Sequence, residues 1–123
     1  MPKFLIRKVP TGYKFDLNAP NGQTIATSEI YETAAACKKG IESARKNAPK
    51  AVLEDQTAEG FKTASNPKFE LYRDKSGGYR FRLKSRNGKI IAASESYTSK
   101  AACENGIESV RKNAGSFCVH IAE

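Results

Sequence analysis

Apolar side chains recur along the chain with two different periods, and the switch between them marks out its elements. Phe4 and Ile6, and later Phe69 and Leu71, alternate with polar or charged neighbours at the two-residue period of a strand. Tyr13-Lys14-Phe15-Asp16-Leu17 and Tyr79-Arg80-Phe81-Arg82-Leu83-Lys84 alternate more cleanly, aromatics and Leu on one face and charge on the other, which predicts a half-buried antiparallel sheet. Asn21-Gly22 and Asn87-Gly88 then offer left-handed residues for a tight hairpin turn, and Thr24-Ile25-Ala26-Thr27 and Ile90-Ile91-Ala92-Ala93 return as third strands.

After Tyr31 and Tyr97 the period lengthens. Thr33 and Ser99 stand where helix N-caps belong, and Cys37, Ile41, Ala44, Ala48 and Cys103, Ile107, Val110, Ala114 form one apolar stripe each at helical spacing. Gly40 and Gly106 fall in mid-helix, where Gly is about 1 kcal/mol worse than Ala, so a close approach of each helix to another backbone is expected. Arg45-Lys46-Asn47 and Arg111-Lys112-Asn113 suit helix C-termini, cations favouring the negative end and Asn tolerating a left-handed cap. Ala51-Val52-Leu53 and Phe117-Cys118-Val119-His120-Ile121 then provide fourth strands.

The chain is therefore written twice. Tyr13 to Ala48 aligns with Tyr79 to Ala114 without a gap, with 21 of 36 positions identical, and Pro2-Lys3-Phe4 matches Pro67-Lys68-Phe69. The expected organisation is a first repeat over 1–57, a linker over 58–65 and a second repeat over 66–123. A unit of that size lies in the range where a lone core is usually too small without metal, disulfide or partner. The economical solution is one domain over 1–123, an internal pseudo-dimer with a shared core, trailing strands that pair across the copies, and a monomeric chain.

Composition adds limits. The 123 residues hold 21 Lys+Arg, 13 Asp+Glu, one His and no Trp. No stretch approaches the ~20 apolar residues of a membrane span and no secretion signal is evident, so a cytoplasmic protein without a membrane partner is expected. Three cysteines, without a Cys-x-x-Cys and with His120 as their one imidazole neighbour in composition, predict buried reduced thiols, no metal and no disulfide framework.

Together, Lys68-Phe69-Glu70-Leu71-Tyr72-Arg73-Asp74, Tyr79 to Lys84, Asn87-Gly88, Ser94-Glu95-Ser96-Tyr97 and Ala102-Cys103-Glu104-Asn105-Gly106-Ile107 resemble the YegP-like family of small bacterial proteins. The resemblance spans both copies. It implies an α+β fold of two βββαβ repeats in one antiparallel sheet with two helices, related by a pseudo-twofold, the C-terminal strands exchanged. It implies no activity, the family being a domain of unknown function. Copy one departs from the motif in its shorter first turn, Val9-Pro10-Thr11-Gly12, and in Ala19-Pro20 before its hairpin.

Two clusters are candidates for function. Arg80, Arg82 and Lys84 occupy outward positions of one strand, followed by Arg86 and Lys89, where copy one has Lys14, Asp16, Asn18, Pro20 and Gln23. Alternate strand residues stand about 7 Å apart, close to the step between phosphates, so this face is a candidate for nucleic acid or another polyanion. Solubility and protection of strand edges account for the same residues without a ligand. By contrast the helices read as nearly balanced in charge. The second cluster is Ser28, Glu29 and Tyr31 with its copy Ser94, Glu95 and Tyr97, either a small polar site or a brace at the strand-to-helix passage. Catalysis has no base to activate a nucleophile except His120, three residues from the C-terminus, and Gly77-Gly78 lacks the lysine and helix of a phosphate loop. The expectation is a non-enzymatic interaction module with no cofactor, meeting a protein partner through a sheet edge or surface, or alternatively a polyanion through the second hairpin.

Overall fold

The structure is a computed structural model and describes residues 2–116 and 118–122. Its elements follow in chain order: β1 (Lys3–Val9), β2 (Gly12–Asn18), β3 (Thr24–Ser28), α1 (Ala34–Asn47), β4 (Val52–Asp55), β5 (Lys68–Arg73), β6 (Tyr79–Lys84), β7 (Ile90–Ala93), α2 (Lys100–Asn113) and β8 (Val119–Ile121). Each repeat is thus βββαβ. Phe117, included in the expected last strand, lies outside the described residues.

All eight strands join one sheet in the order β4-β5-β6-β7-β3-β2-β1-β8. The two copies meet at the centre, where Thr27 pairs with Ala93 and Ser28 with Ala92. Their last strands are exchanged: β4 of the first repeat pairs with β5, and β8 of the second pairs with β1. Both exchanged pairs are parallel, so the sheet is mixed, antiparallel across its six central strands and parallel at both edges. The reason is topological: a strand reached through a helix arrives in the direction opposite to that of a hairpin return.

One face of the sheet carries the helices. Phe4, Ile6, Phe15 and Leu17, with Phe69, Leu71, Phe81 and Leu83, are at most 2% exposed and pack beneath the apolar stripes of α1 and α2. Phe4 meets Phe15 edge-on with centroids 5.6 Å apart, and Phe69 meets Phe81 likewise at 6.0 Å. Thr33 Oγ1 and Ser99 Oγ accept from the Ala36 and Ala102 N–H groups, as N-caps do.

Three local expectations need correction. In the hairpins the left-handed residues are Gly22 and Gly88 alone, the asparagines keeping negative φ. A register shift follows Leu17 and Leu83, as in a type I turn closed by a glycine bulge. The helices do not end on left-handed Asn: Asn47 and Asn113 stay helical and donate back to the Ser43 and Ser109 carbonyls. Finally, Gly40 and Gly106 are approached by a phenol and not by backbone. A Cβ on Gly40 would lie 2.2 Å from Tyr31 Oη, and one on Gly106 2.4 Å from Tyr97 Oη.

Candidate functional site

The face of the sheet opposite the helices presents one residue from every strand in a single transverse row: Glu54, Glu70, Arg82, Ala93, Thr27, Asp16, Leu5 and His120. Arg82 on this row is the counterpart of Asp16, and Glu70 that of Leu5, so duplication preserved the core while exchanging the chemistry of this face. Asp16 accepts from Arg7 Nε at 2.9 Å and from Thr27 Oγ1 at 2.9 Å. In the second half the charges form a larger network.

Lys68, at 6% exposure, lies between two buried carboxylates, its Nζ 2.8 Å from Glu54 Oε1 and 3.4 Å from Glu70 Oε2. Arg82 Nε contacts Glu70 Oε1, and Lys84 Nζ stands 3.3 Å from Glu70 Oε2. The segment after β4 caps this cluster: the Ala64 N–H donates to Glu54 at 2.7 Å and the Ala64 carbonyl accepts from Lys68. Burial pushes the Glu54 carboxyl up, but hydrogen bonds from Lys68, Gln56 and the Ala64 N–H outweigh it and bring it down to about 2. The Glu54 hydrogen bond holds Lys68 above the ordinary lysine value.

The five basic candidates therefore divide. Arg82 and Lys84 are matched by Glu70, and Arg80 donates to Asp74 at 3.1 Å. Asp74 is held well below the usual carboxylate range, first by the Ser96 hydroxyl at 2.6 Å and then by Ser76, with the Gly78 N–H and Arg80 adding to them. Arg86 and Lys89, at the exposed tip of the second hairpin, belong to no ion pair among the described residues and stand beside α1 instead. Sequence reasoning overlooked Glu54, Lys68 and Glu70. The strand register that sets Glu70 opposite Arg82 was the available signal.

The paired Ser-Glu-x-Tyr elements are built alike. Ser28 Oγ accepts from the buried Phe15 N–H at 2.9 Å and donates to the Glu29 carbonyl, and Ser94 does the same between Phe81 and Glu95. Tyr31 exchanges both backbone hydrogen bonds with Tyr13, and Tyr97 with Tyr79. Their rings stack on Phe15 and Phe81 with centroids 6.5 and 6.3 Å apart, and burial raises both phenols above the ordinary tyrosine value. Glu29 and Glu95 point to solvent. Cys37 and Cys103 are buried and their thiols pushed up to about 11, while Cys118, expected to be buried, is half-exposed. His120 is exposed on the edge strand. No described helix is long and apolar enough to cross a membrane.

Comparison with known proteins agrees with this geometry. The model of a domain of unknown function, DUF1508, matches residues 11–55 and again 74–116, once in each repeat. The chain belongs to the DUF1508 family. Among DUF1508 relatives, the UPF0339 protein YegP of Escherichia coli O157:H7 is 39% identical over 107 residues, covering 87% of this chain and 84% of that one. A UPF0339 protein of Treponema denticola is 66% identical over 47 residues, 38% of this chain but 81% of its own, so its length is about that of one repeat. The solution structure of yegP from E. coli, a protein of unknown function, superposes with a TM-score of 0.79 at 31% identity, covering 98% of this chain and 91% of that one. The names of these DUF1508 proteins assign no reaction and no ligand.

Proposed function

We propose that residues 1–123 act as one non-enzymatic interaction domain that takes up an extended segment of a partner protein along the β8 edge. The observation that carries this reading is where apolar surface is left open. Val52, Leu53 and Ile121, three of the five large apolar side chains exposed among the described residues, stand on the two edge strands. On β8, Cys118 and Ala122 bond inward to β1, so by the alternation of a strand the N–H and C=O groups of Val119 and Ile121 point outward. Beside them is a recess of about 240 Å³ lined by Val119, Ile41 and the stems of Lys38, Lys39 and Glu42. An added strand would gain main-chain hydrogen bonds from the edge and selectivity from the recess. The β4 edge offers less, since Asp55 is already held by Lys100 at 2.5 Å and by Thr57.

The test is selection of random extended peptides on the immobilised protein, followed by titration of the enriched sequences. Alternating apolar residues and weak salt dependence are expected. Ile121→Pro removes an outward N–H that no strand uses, so it should abolish binding and leave the melting temperature unchanged. Peptides that bind I121P undiminished would refute the edge as the site.

A further inference from the structure

Pairing of β3 with β7 at the centre of the sheet brings each helix, packed on its own repeat, beside the hairpin of the other, and the two grooves so formed differ in charge. The groove between α1 and the β6–β7 hairpin holds about 550 Å³, within the roughly 300–1,000 Å³ of small-ligand sites, and continues past Ser43 and Asn47 along the helix. On the other side a recess between α2 and the β2–β3 hairpin, lined by Ala19, Pro20, Asn21, Asn105 and Ser109, holds about 440 Å³ and corresponds to it in part.

Lys39 and Lys89 line the first groove and Arg86 lines its continuation; their counterparts in the repeat alignment are Asn105, Gln23 and Pro20, of which Asn105 and Pro20 line the second groove. Three positive charges on one side thus face neutral residues at the matching positions on the other, whose wall holds Lys112 together with Glu108. All three side chains are exposed, and among the described residues none is within an ion pair. Arg80, Arg82 and Lys84, in contrast, each face a carboxylate.

The floor of the groove is of another kind. Tyr31, Ile90 and Ile91 line it with Gly40 and Ala36, and Glu29 is the one acidic residue of its wall. Asn87 offers a further donor at the rim, since its Oδ1 meets the Ser85 hydroxyl while its Nδ2 makes no hydrogen bond among the described residues. A flat apolar floor under a rim of three unpaired cations and an amide donor matches a group that is aromatic at one end and phosphorylated at the other.

We propose that this groove binds one nucleotide unit, its phosphate against Lys39, Arg86 and Lys89 and its base over Tyr31 and Ile90. The unit comes either as a free nucleotide or as part of a single-stranded nucleic acid. The second groove, which lacks these three cations, does not bind it.

The protein is titrated with adenosine 5′-monophosphate, inorganic phosphate and a fluorescein-labelled single-stranded decanucleotide, following amide shifts for the first two and anisotropy for the third. Shifts confined to residues around Tyr31, Lys39 and Ile90 are expected, with inorganic phosphate at least 10-fold weaker than the nucleotide. Comparable affinity for the monophosphate and the oligomer identifies a free nucleotide; saturation by the oligomer alone identifies nucleic acid. With three phosphate-directed cations on a single strand, affinity for the oligomer should fall about 20-fold from 50 to 200 mM salt.

Lys39→Asn with Arg86→Gln and Lys89→Gln should weaken binding at least 10-fold. Two of these three side chains are those the other repeat already carries at the matching positions, and an unchanged melting temperature verifies the fold. Lys112→Gln, at the second groove, should change nothing. No saturable binding of nucleotide or oligomer at 50 mM salt, equal affinity for inorganic phosphate, or a triple variant that binds like wild type would each overturn the proposal.

Discussion

Replacing Gly40 by alanine should destabilise the protein although alanine is the better helix former. The added Cβ would stand 2.2 Å from Tyr31 Oη and 2.6 Å from its Cζ. Ordinary contact begins near 3.4 Å, so the ring would have to retreat by more than 1 Å. It has little freedom to do so, because both backbone groups of Tyr31 are bonded to Tyr13 at 2.7 Å and the ring stacks on Phe15. Overpacking of this kind is worth about 2 kcal/mol, against about 1 kcal/mol gained in helix propensity. The net loss is about 1 kcal/mol, or about 4 °C in melting temperature for a chain of this length. In a Tyr31→Ala background the obstacle is gone, and the same Gly40→Ala change should stabilise by about 1 kcal/mol. Urea unfolding of the four proteins closes the cycle, with an expected coupling of about 2 kcal/mol. If G40A stabilises both backgrounds equally, the hydroxyl is not what requires glycine. At Gly106 the rescue should be partial, because Phe81 Cε2 would still lie 3.0 Å from the new methyl.

The remaining expectations concern buried polar groups and the exchange of strands. Ser94→Ala leaves the Phe81 N–H without its acceptor and should lower stability by about 1–2 kcal/mol in urea unfolding, whereas Ser96→Ala, at an exposed site, should lower it less. Glu54, whose folded pKa is depressed to about 2 from an ordinary 4.5, contributes stability that is fully present above pH 4.5 and is lost as pH falls toward 2. Lys68→Met removes its main partner and should cost about 3 kcal/mol at pH 7. Burial of Glu54 is then opposed by the Gln56 and Ala64 hydrogen bonds without Lys68, so its carboxyl pKa rises relative to wild type and the gap between variant and wild type should shrink as the pH is lowered to 3; a gap independent of pH would exclude the ion pair as its source. Residues 1–57 expressed alone should form a dimer whose melting temperature rises with concentration, β4 of each copy pairing with β1 of the other; a stable monomer in sedimentation would contradict the shared core.

Much of this architecture was legible in the sequence because it rests on local periodicity. The Phe15-x-Leu17 and Phe81-x-Leu83 alternation, the Thr33 and Ser99 caps and the four-residue apolar stripes each act within a few residues, and the repeat checks one copy against the other. Apart from the hairpin turns and the helix ends, the misread features depend on distant partners. Nothing near Gly40 in sequence shows that a phenol nine residues earlier folds back onto it. Arg80, Arg82 and Lys84 look free when their own strand is read alone, but Glu70 is set opposite Arg82 by the β5–β6 register and Asp74 reaches Arg80 from the turn between the two strands. Glu54 reaches Lys68 only because β4 leaves its own repeat. The helices, read as balanced, are also unequal: α1 carries four basic residues and one acidic, α2 three and two.

That inequality acquires a location through the central pairing of β3 with β7. The more basic helix, α1, belongs to the first repeat, and the more basic hairpin tip, with Arg86 and Lys89, to the second. That pairing puts α1, which also packs on its own β1 and β2, beside the second hairpin and concentrates these charges in one groove, leaving the other with Pro20 and Asn105. A symmetric dimer of single repeats cannot reach this arrangement, because every substitution in it appears in both grooves at once. Covalent duplication lifts that constraint. The interior, where Phe4, Phe15, Phe69 and Phe81 must interlock, is held alike in both copies, and the grooves at the rim are free to become different from each other.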